Sequence, residues 1–308
     1  MKAAVRAIRW GRSEYETASD IELEMSGLLS LGVDYVCSGS TMPNLEGVEI
    51  LIVTSKMKVD KDLFSSAPAL RLVITTTSGF DHIDIDEAKR VGVAVCRCPV
   101  ARRDAVVESS VAMASSLMRS QGDLHRLALA GNWGRKTLPS RNIRLIGGST
   151  VGIIGMGVIG RAAIKVWRAL GATVIWCDPR LEGGSSLEEV LSSADIVSLH
   201  CSLSETSEGL IGESSLSLMK PGAILINTAR GGCVDLKSLI LADHLGGFGL
   251  DVFPTEPPED LANLALAKNS VITPHSAGFH VGLGASVAAE VVETVRCWLA
   301  KESLPHPL

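Results

Sequence analysis

The sequence predicts an α/β protein with parallel sheets, and three observations lead to that prediction. Short β-rich runs alternate with helical patterns along all 308 residues. The β-rich runs are apolar on both faces, as parallel strands covered by helices require. A Gly-x-Gly-x-x-Gly loop joins one of these runs to a helical pattern. At about 150 residues per domain, the length indicates two domains.

The predicted elements fall into two series along the chain. The strands of the first series are Ala3–Ile8, Val33–Cys37, Glu49–Val53, Arg71–Thr75 and Val93–Cys96, with helices over Thr17–Leu31 and Asp84–Val91. The strands of the second series are Val151–Ile154, Thr173–Trp176, Asp195–Leu199, Ala223–Ile226, Phe248–Asp251 and Val271–Thr273. Helices over Arg103–Arg119 and Asp123–Ala130 precede the second series, and the helix Leu283–Ala300 follows its last strand.

Composition and charge exclude several classes of protein. A chain that is 46% hydrophobic and 20% charged is globular and not disordered. The net charge of −5 argues against a nucleic-acid partner, and no apolar run approaches the roughly 20 residues that span a bilayer. The seven cysteines lack metal-ligand spacing, and charges interrupt the apolar N-terminus. We therefore expect a cytoplasmic protein without a metal site.

The glycine loop has the spacing of a dinucleotide-binding site. Gly155 allows a tight turn, Gly157 lets the backbone approach a pyrophosphate, and Gly160 lets the helix pack closely on the strand. The helix N-terminus, which includes Val158 and Ile159, presents N–H groups and a positive dipole end to the phosphates.

An acidic residue supports this interpretation and indicates the cofactor. Asp178 lies 18 residues after Gly160, at the end of the next predicted strand, where a ribose-binding acid is expected. A carboxylate there accepts hydrogen bonds from the ribose hydroxyls and repels a 2′-phosphate, which favours NAD over NADP. Arg180 is expected to be a solvated surface residue that does not offset this charge.

Four further motifs, together with the glycine loop, resemble the NAD-dependent D-isomer-specific 2-hydroxyacid dehydrogenases over essentially the whole chain. They are TTTSGFDHIDIDEAKRVGVAV (Thr75–Val95), INTARGGCVD (Ile226–Asp235), LDVFPTEPP (Leu250–Pro258) and ITPHSAG (Ile272–Gly278). The resemblance implies two Rossmann-like parallel-sheet domains, with an NAD-binding domain inserted into a flavodoxin-like substrate domain. The boundaries are then 100–282 for the NAD-binding domain and 1–99 with 283–308 for the substrate domain. It also implies a homodimer and a last helix that packs on the first domain.

The resemblance assigns three catalytic residues. Arg230 would clamp the substrate carboxylate and carbonyl oxygen with its planar donor fork. His275 would exchange a proton with the substrate oxygen while hydride moves between NAD(H) and C2 of a 2-hydroxyacid or 2-oxoacid. Glu256 would hold the other ring nitrogen of His275 and stabilise its protonated form.

The resemblance also assigns binding roles. Backbone N–H groups of Ser78 and Gly79 would face the substrate carboxylate. Asp251 would contact the nicotinamide carboxamide. The other expected cofactor contacts are Cys201 in the adenosine pocket wall and the backbone of Thr228 and Ala229 at the nicotinamide.

The segment CRCPVARRDAVVE departs from the family, which has an Asn and small residues there. One hypothesis is that Arg97, Arg102 and Arg103 bind a second anionic group on the substrate, such as a phosphate or distal carboxylate. The alternative is that they are solvated or pair with acids such as Asp104 and Glu108. Two other functions stay open: a non-enzymatic NAD-sensing protein of the corepressor type, and a phosphite-type oxyanion dehydrogenase.

Overall fold

The chain divides into two compact units, each built on one parallel sheet. The computed structural model describes residues 4–259, 261–266 and 269–308. Unit 1 comprises the residues up to Arg102 together with Phe279–Leu308, and unit 2 comprises Arg103–Gly278. All strand pairs within both sheets are parallel, which confirms the predicted fold class.

Unit 1 has the strand order of flavodoxin-like sheets, β2-β1-β3-β4-β5. The strands are β1 (Arg6–Trp10), β2 (Asp34–Ser38), β3 (Ile50–Val53), β4 (Leu72–Thr75) and β5 (Ala94–Arg97). Its helices are α1 (Ala18–Ser30), α2 (Lys61–Ser66), α3 (Ile85–Val91) and α11 (Leu283–Ala300), and α4 (Val100–Met118) begins in this unit.

The last helix returns to unit 1, as the resemblance implied. One face of α11 buries Leu283, Val287, Val291 and Val295 in the same core cluster as Leu28 of α1. These apolar positions recur every four residues, so they form a stripe that can pack only against another apolar surface. This packing accounts for a helix that leads into no further strand.

Unit 2 contains a six-stranded sheet in the order β11-β10-β9-β8-β6-β7. The strands are β6 (Thr150–Ile154), β7 (Thr173–Cys177), β8 (Ile196–Leu199), β9 (Ile224–Asn227), β10 (Gly247–Leu250) and β11 (Ser270–Ile272). The helices are α5 (Gln121–Leu129), α6 (Val158–Ala169), α7 (Leu187–Ser193), α8 (Glu213–Leu218), α9 (Leu236–Leu241) and α10 (Leu261–Leu266), with short 3₁₀ turns at Arg135–Ser140 and Gly231–Cys233. None of the helices in the described ranges is long and apolar enough to cross a membrane.

The predicted element boundaries need small corrections. Strand ends differ by up to three residues, and Ala3 of the first predicted strand lies outside the described residues. Helix α4 begins at Val100, three residues before the predicted start at Arg103. The carboxylate of Glu290 in α11 accepts the N–H groups of Val100 and Ala101, so the first turn is capped from a distant part of the chain.

Candidate active site

The glycine loop lies at the carboxyl edge of the unit 2 sheet, between β6 and α6. Strand order reverses at β6, which pairs with β7 on one side and β8 on the other, and open α/β sheets bind ligands at such a switch point. Gly155 has φ of +97°, and a Cβ there would lie 2.6 Å from the backbone nitrogen of Cys201. This turn therefore requires glycine, and it brings the loops after β6 and β8 together.

The other two glycines differ in what surrounds them. A Cβ on Gly160 would lie 2.0 Å from the carbonyl oxygen of Gly155, whereas a Cβ on Gly157 would meet no described atom within 4 Å apart from its chain neighbours. No side chain caps Gly157, so N–H groups of the first helical turn, at Val158 and Ile159, are available to a phosphate. The residues present therefore fit a dinucleotide pyrophosphate.

Asp178 follows β7 directly, and its side chain is almost completely buried. One carboxylate oxygen accepts the N–H of Met156 at 2.9 Å, and the other accepts the N–H of Arg180 at 3.0 Å. Burial raises the pKa of Asp178, but these hydrogen bonds and the Arg180 guanidinium at 3.3 Å outweigh it and hold the pKa below its ordinary value. Arg180 is mostly exposed, as expected, yet it also pairs with Asp178.

Cys201 is a partly buried thiol on the loop after β8. Its sulfur lies 3.8 Å from that of Cys233, and this contact together with burial raises the pKa of Cys201. A thiol held in its protonated form is a poor nucleophile. The structure thus favours a wall residue over a reactive cysteine, and the contact of Cys201 with adenosine stays a prediction.

Arg230 lies on a turn that the side chain of Asn227 shapes at the end of β9. The Asn227 amide accepts the N–H of Ala229 at 3.0 Å and donates to the carbonyl oxygen of Arg230 at 2.9 Å. Thr228 is buried, with its hydroxyl 2.9 Å from that of Ser110 on α4. The Arg230 guanidinium donates to the Ala229 carbonyl oxygen at 2.7 Å. Strand β9 and α4 thus fix the base of the turn.

The same turn packs directly on the segment that carries Glu256. A Cβ on Gly231 would lie 1.9 Å from the carbonyl carbon of Phe253, so only glycine allows this approach. The N–H of Phe253 in turn donates to one oxygen of Glu256 at 3.0 Å. Arg230 and Glu256 are therefore held by adjoining backbone segments.

Glu256 and His275 form the predicted pair. The second carboxylate oxygen of Glu256 lies 2.7 Å from Nδ1 of His275, whose side chain is 53% exposed. A carboxylate at Nδ1 stabilises the tautomer with hydrogen on that nitrogen and leaves Nε2 for a reacting group. His275 has φ of +52°, a left-handed conformation that is uncommon for residues other than glycine and is typical of functional sites.

Asp251 has a structural role that the sequence did not indicate. Its buried carboxylate accepts the hydroxyl of Thr273 at 2.5 Å and the N–H groups of Ser276 and Ala277 at 2.8 and 2.9 Å. Its carbonyl oxygen accepts the N–H of His275 at 2.8 Å. Asp251 therefore holds the loop that carries His275 in its strained conformation. Its contact with the nicotinamide carboxamide stays a prediction.

In unit 1, the loop after β4 has unused hydrogen-bonding groups. The backbone N–H groups of Ser78 and Gly79 have no acceptor in the described part of the chain, and the buried Ser78 hydroxyl has no partner there. Arg97 donates to the carbonyl oxygen of Ser78 at 3.1 Å, and Arg102 donates to that of Thr76 at 2.6 Å. The guanidinium groups thus occupy two carbonyl oxygens of the loop and leave the N–H groups for an anion.

The structure gives different surroundings to Arg97, Arg102 and Arg103, which the sequence analysis assigned to one anion-binding loop. Arg97 ends β5 and lies over the ring of Phe80, with 5.8 Å between its guanidinium carbon and the ring centre. Arg102 belongs to the first turn of α4. Arg103 forms two parallel hydrogen bonds with Asp104, at 2.7 and 2.9 Å. This pairing agrees with the alternative that Arg103 pairs with a nearby acid, and anion binding by Arg103 stays a prediction.

Comparison with known proteins identifies the family. Residues 111–277 match the model of the NAD-binding domain of D-isomer specific 2-hydroxyacid dehydrogenases. A glyoxylate reductase from Thermococcus litoralis is 34% identical over 255 residues, which are 77% of this chain and 76% of the relative. A D-3-phosphoglycerate dehydrogenase from Bacillus subtilis is 36% identical over 264 residues, which are 82% of this chain and 49% of the relative. The chain thus spans about half the length of that dehydrogenase.

Solved structures agree over nearly the whole chain. A glyoxylate reductase from Paecilomyes thermophila has a TM-score of 0.83 at 25% identity and covers 99% of this chain and 98% of its own. A D-lactate dehydrogenase from Aquifex aeolicus, complexed with NAD and lactic acid, has a TM-score of 0.79 at 27% identity, with 96% of both chains covered. The fold is that of an α/β protein with an NAD-binding domain. The chain belongs to the D-isomer-specific 2-hydroxyacid dehydrogenase family, and residues 111–277 match its NAD-binding domain.

Proposed function

We propose that this chain catalyses reversible hydride transfer between NAD(H) and C2 of a 2-hydroxyacid or 2-oxoacid. The observation that carries the proposal is the His275–Glu256 pair, 2.7 Å apart, on the same carboxyl edge of the unit 2 sheet as the glycine loop. The relatives are named as reductases and dehydrogenases, which favours an enzyme over an NAD sensor of the corepressor type. They also favour an organic acid over phosphite.

Cofactor binding rests on the glycine loop and Asp178. The open first turn of α6 would hold the pyrophosphate, with Gly157 allowing close approach, and Asp178 would accept the ribose hydroxyls. Cys201 would line the adenosine pocket, and Thr228 with Ala229 would line the nicotinamide pocket. When bound, the nicotinamide supplies the hydride for reduction and accepts it in oxidation.

The protein supplies the proton and the orientation. Nε2 of His275 would donate to the carbonyl oxygen as C2 is reduced and accept the hydroxyl proton in reverse. The carboxyl group of Glu256 at Nδ1 would stabilise the imidazolium formed in the oxidation direction. Arg230 would bind the carboxylate and the carbonyl oxygen through its planar fork, which favours the negative charge that develops on that oxygen.

We assign the NAD-binding role to unit 2 and the substrate-binding role to unit 1. The unused N–H groups of Ser78 and Gly79, with the buried Ser78 hydroxyl, support a carboxylate site on the loop after β4.

Turnover with a panel of 2-oxoacids tests the proposal. Loss of NADH absorbance with formation of a 2-hydroxyacid is the expected result, and His275→Ala should lower kcat/KM by about 10²–10⁴-fold. NAD binding measured by calorimetry serves as the control, because His275 makes none of the proposed cofactor contacts. Absence of turnover with every acid, in a protein that binds NAD, would contradict the proposal.

A homodimer is the assembly that the unit 2 surface supports best. Helix α5 buries none of its residues within the chain, and Leu129 on it is 75% exposed. Trp133 and Leu145 follow it at 84% and 67% exposure. Large apolar side chains at this density are typical of an interface with a partner. Light scattering of the wild type and of Trp133→Ser distinguishes a dimer from a monomer.

We also propose that the protein is cytoplasmic. All seven cysteines are free thiols, which is typical of proteins in a reducing compartment. Fractionation of cells that produce the protein tests it.

A further inference from the structure

Arg102 is a cation whose charge no carboxylate in the described part of the chain compensates directly. Its one hydrogen bond to the described residues goes to the carbonyl oxygen of Thr76, and it forms no ion pair with them. Two other arginines show the contrast, since Arg9 binds the carboxylates of Glu16 and Glu24 and Arg103 binds Asp104. A guanidinium has five N–H donors in a planar fork, so most donors of Arg102 remain for another acceptor.

The surroundings make an anion the fitting acceptor. Arg102 is partly buried, and loss of hydration lowers its pKa. The charged or titratable groups that act on it are Cys98, Glu16, Glu290 and Tyr15. The buried Cys98 thiol has a pKa well above its ordinary value and stays neutral. The two carboxylates are engaged elsewhere, Glu16 by Arg9 and the N–H of Ser13, and Glu290 by the first turn of α4.

Arg102 contacts the loop after β4, which carries the proposed carboxylate site at Ser78 and Gly79. The carbonyl oxygen that it binds, on Thr76, is two residues before Ser78, where the first carboxylate of the substrate is proposed to bind. Thr76 directly follows β4 and Arg102 lies a few residues after β5, so both are at the carboxyl edge of the unit 1 sheet. The ring of Tyr15, on the loop after β1, packs against Phe279 with 5.2 Å between ring centres. Tyr15 also acts electrostatically on Arg102, so this aromatic pair belongs to the surroundings of the guanidinium.

We infer that Arg102 binds a second anionic group of the substrate, so that the substrate class is the dianionic 2-oxoacids. This inference rests on the proposed function, and it restricts the earlier hypothesis from three arginines to one. The second group is a carboxylate or a phosphate at a distance from C1, because both offer paired oxygens to the guanidinium fork.

Two matched pairs of acids test the inference. One pair is 2-oxoglutarate and 2-oxohexanoate, and the other is 3-phosphohydroxypyruvate and hydroxypyruvate. The wild type should prefer the dianion of at least one pair by about ten- to a hundredfold in kcat/KM, through a lower KM. Preference within the first pair identifies a carboxylate, and preference within the second identifies a phosphate.

Variants separate binding by Arg102 from general charge. Arg102→Gln should remove the preference for the dianion, while Arg102→Lys should keep part of it because the charge stays. Arg71→Gln is the matched control. Arg71 also donates to backbone carbonyl oxygens, those of Pro68 and Leu70, but it lies at the amino edge of the same sheet. The control should keep the full preference.

A binding measurement keeps the inference independent of turnover. The dianion should raise the thermal unfolding temperature of the wild type and of Arg71→Gln more than the monoanion does, and Arg102→Gln should lose this difference. Equal kcat/KM for both members of both pairs would overturn the inference, and so would a preference for the dianion that survives in Arg102→Gln. In either case, turnover of the monoanions by the wild type would still uphold the proposed function. Absence of all turnover with an Arg102-dependent thermal shift would contradict the proposed function alone.

Discussion

Alanine substitutions at Gly160 and Gly157, only three residues apart, should have different effects. The first should lower stability and the second should weaken NAD binding, so the pair tests the cofactor site. In Gly160→Ala, the new Cβ would lie 2.0 Å from the Gly155 carbonyl oxygen, against a normal separation of about 3.4 Å, so the helix must move off the strand. Overpacking of this kind costs about 1–3 kcal/mol. At about 2–4 °C per kcal/mol for a unit of this size, the unfolding temperature should fall by about 2–12 °C.

Gly157→Ala should leave stability nearly unchanged and weaken NAD binding. The residue has φ of −71°, which alanine adopts easily, and its Cβ would meet no described atom within 4 Å beyond its chain neighbours. The methyl group instead projects where the pyrophosphate is proposed to approach, so the Kd for NAD should rise at least about tenfold. Calorimetry gives both quantities. An unchanged Kd in Gly157→Ala would refute the proposed phosphate position, and an unchanged unfolding temperature in Gly160→Ala would refute the packing argument.

Three further substitutions probe the acid groups of unit 2. Asp178→Asn should raise kcat/KM for NADPH relative to NADH by at least about tenfold, because it removes a charge that repels a 2′-phosphate; equal use of both cofactors by the wild type would contradict this. Glu256→Gln should lower kcat by about 10- to 100-fold, less than His275→Ala, because it weakens support of the imidazolium but keeps the proton donor. Asp251→Asn places an amide N–H where a carboxylate accepts backbone N–H groups, so kcat should fall; unchanged kcat would show that the loop does not need this acceptor.

Local sequence patterns predicted the strands well but missed the start of α4. Apolar runs that suit parallel strands stand out in the sequence, and the final helix was predicted with the boundaries that the structure has. The N-terminus of α4 lacks a local cap, so the periodic pattern alone placed its start at Arg103. The actual cap is Glu290, which lies 190 residues after Val100, and pattern analysis has no means to pair such residues. Because α4 begins three residues earlier than predicted, Arg102 lies in the helix and not in the predicted loop.

In the candidate site too, the sequence predicted some residues and missed contacts between distant ones. Resemblance to the family's motifs identified Glu256 and His275, and the structure brings their side chains within 2.7 Å. The sequence could not predict that Asp251 supports the His275 loop. Its carboxylate oxygens accept backbone N–H groups 25 and 26 residues later, and backbone groups are the same whatever the residue type. The pairing of Arg103 with Asp104 was one of two open alternatives, since adjacent opposite charges can also remain solvated separately.

Transfer of deuterium from the reduced cofactor tests the central claim most directly. The protein would be incubated with NADH that carries deuterium at both positions of nicotinamide C4 and with each acid of the 2-oxoacid panel. We expect deuterium to appear at C2 of a 2-hydroxyacid, and His275→Ala to reduce the rate by about 10²–10⁴-fold. Failure to find deuterium at C2 with any acid, or an unchanged rate in His275→Ala, would contradict it.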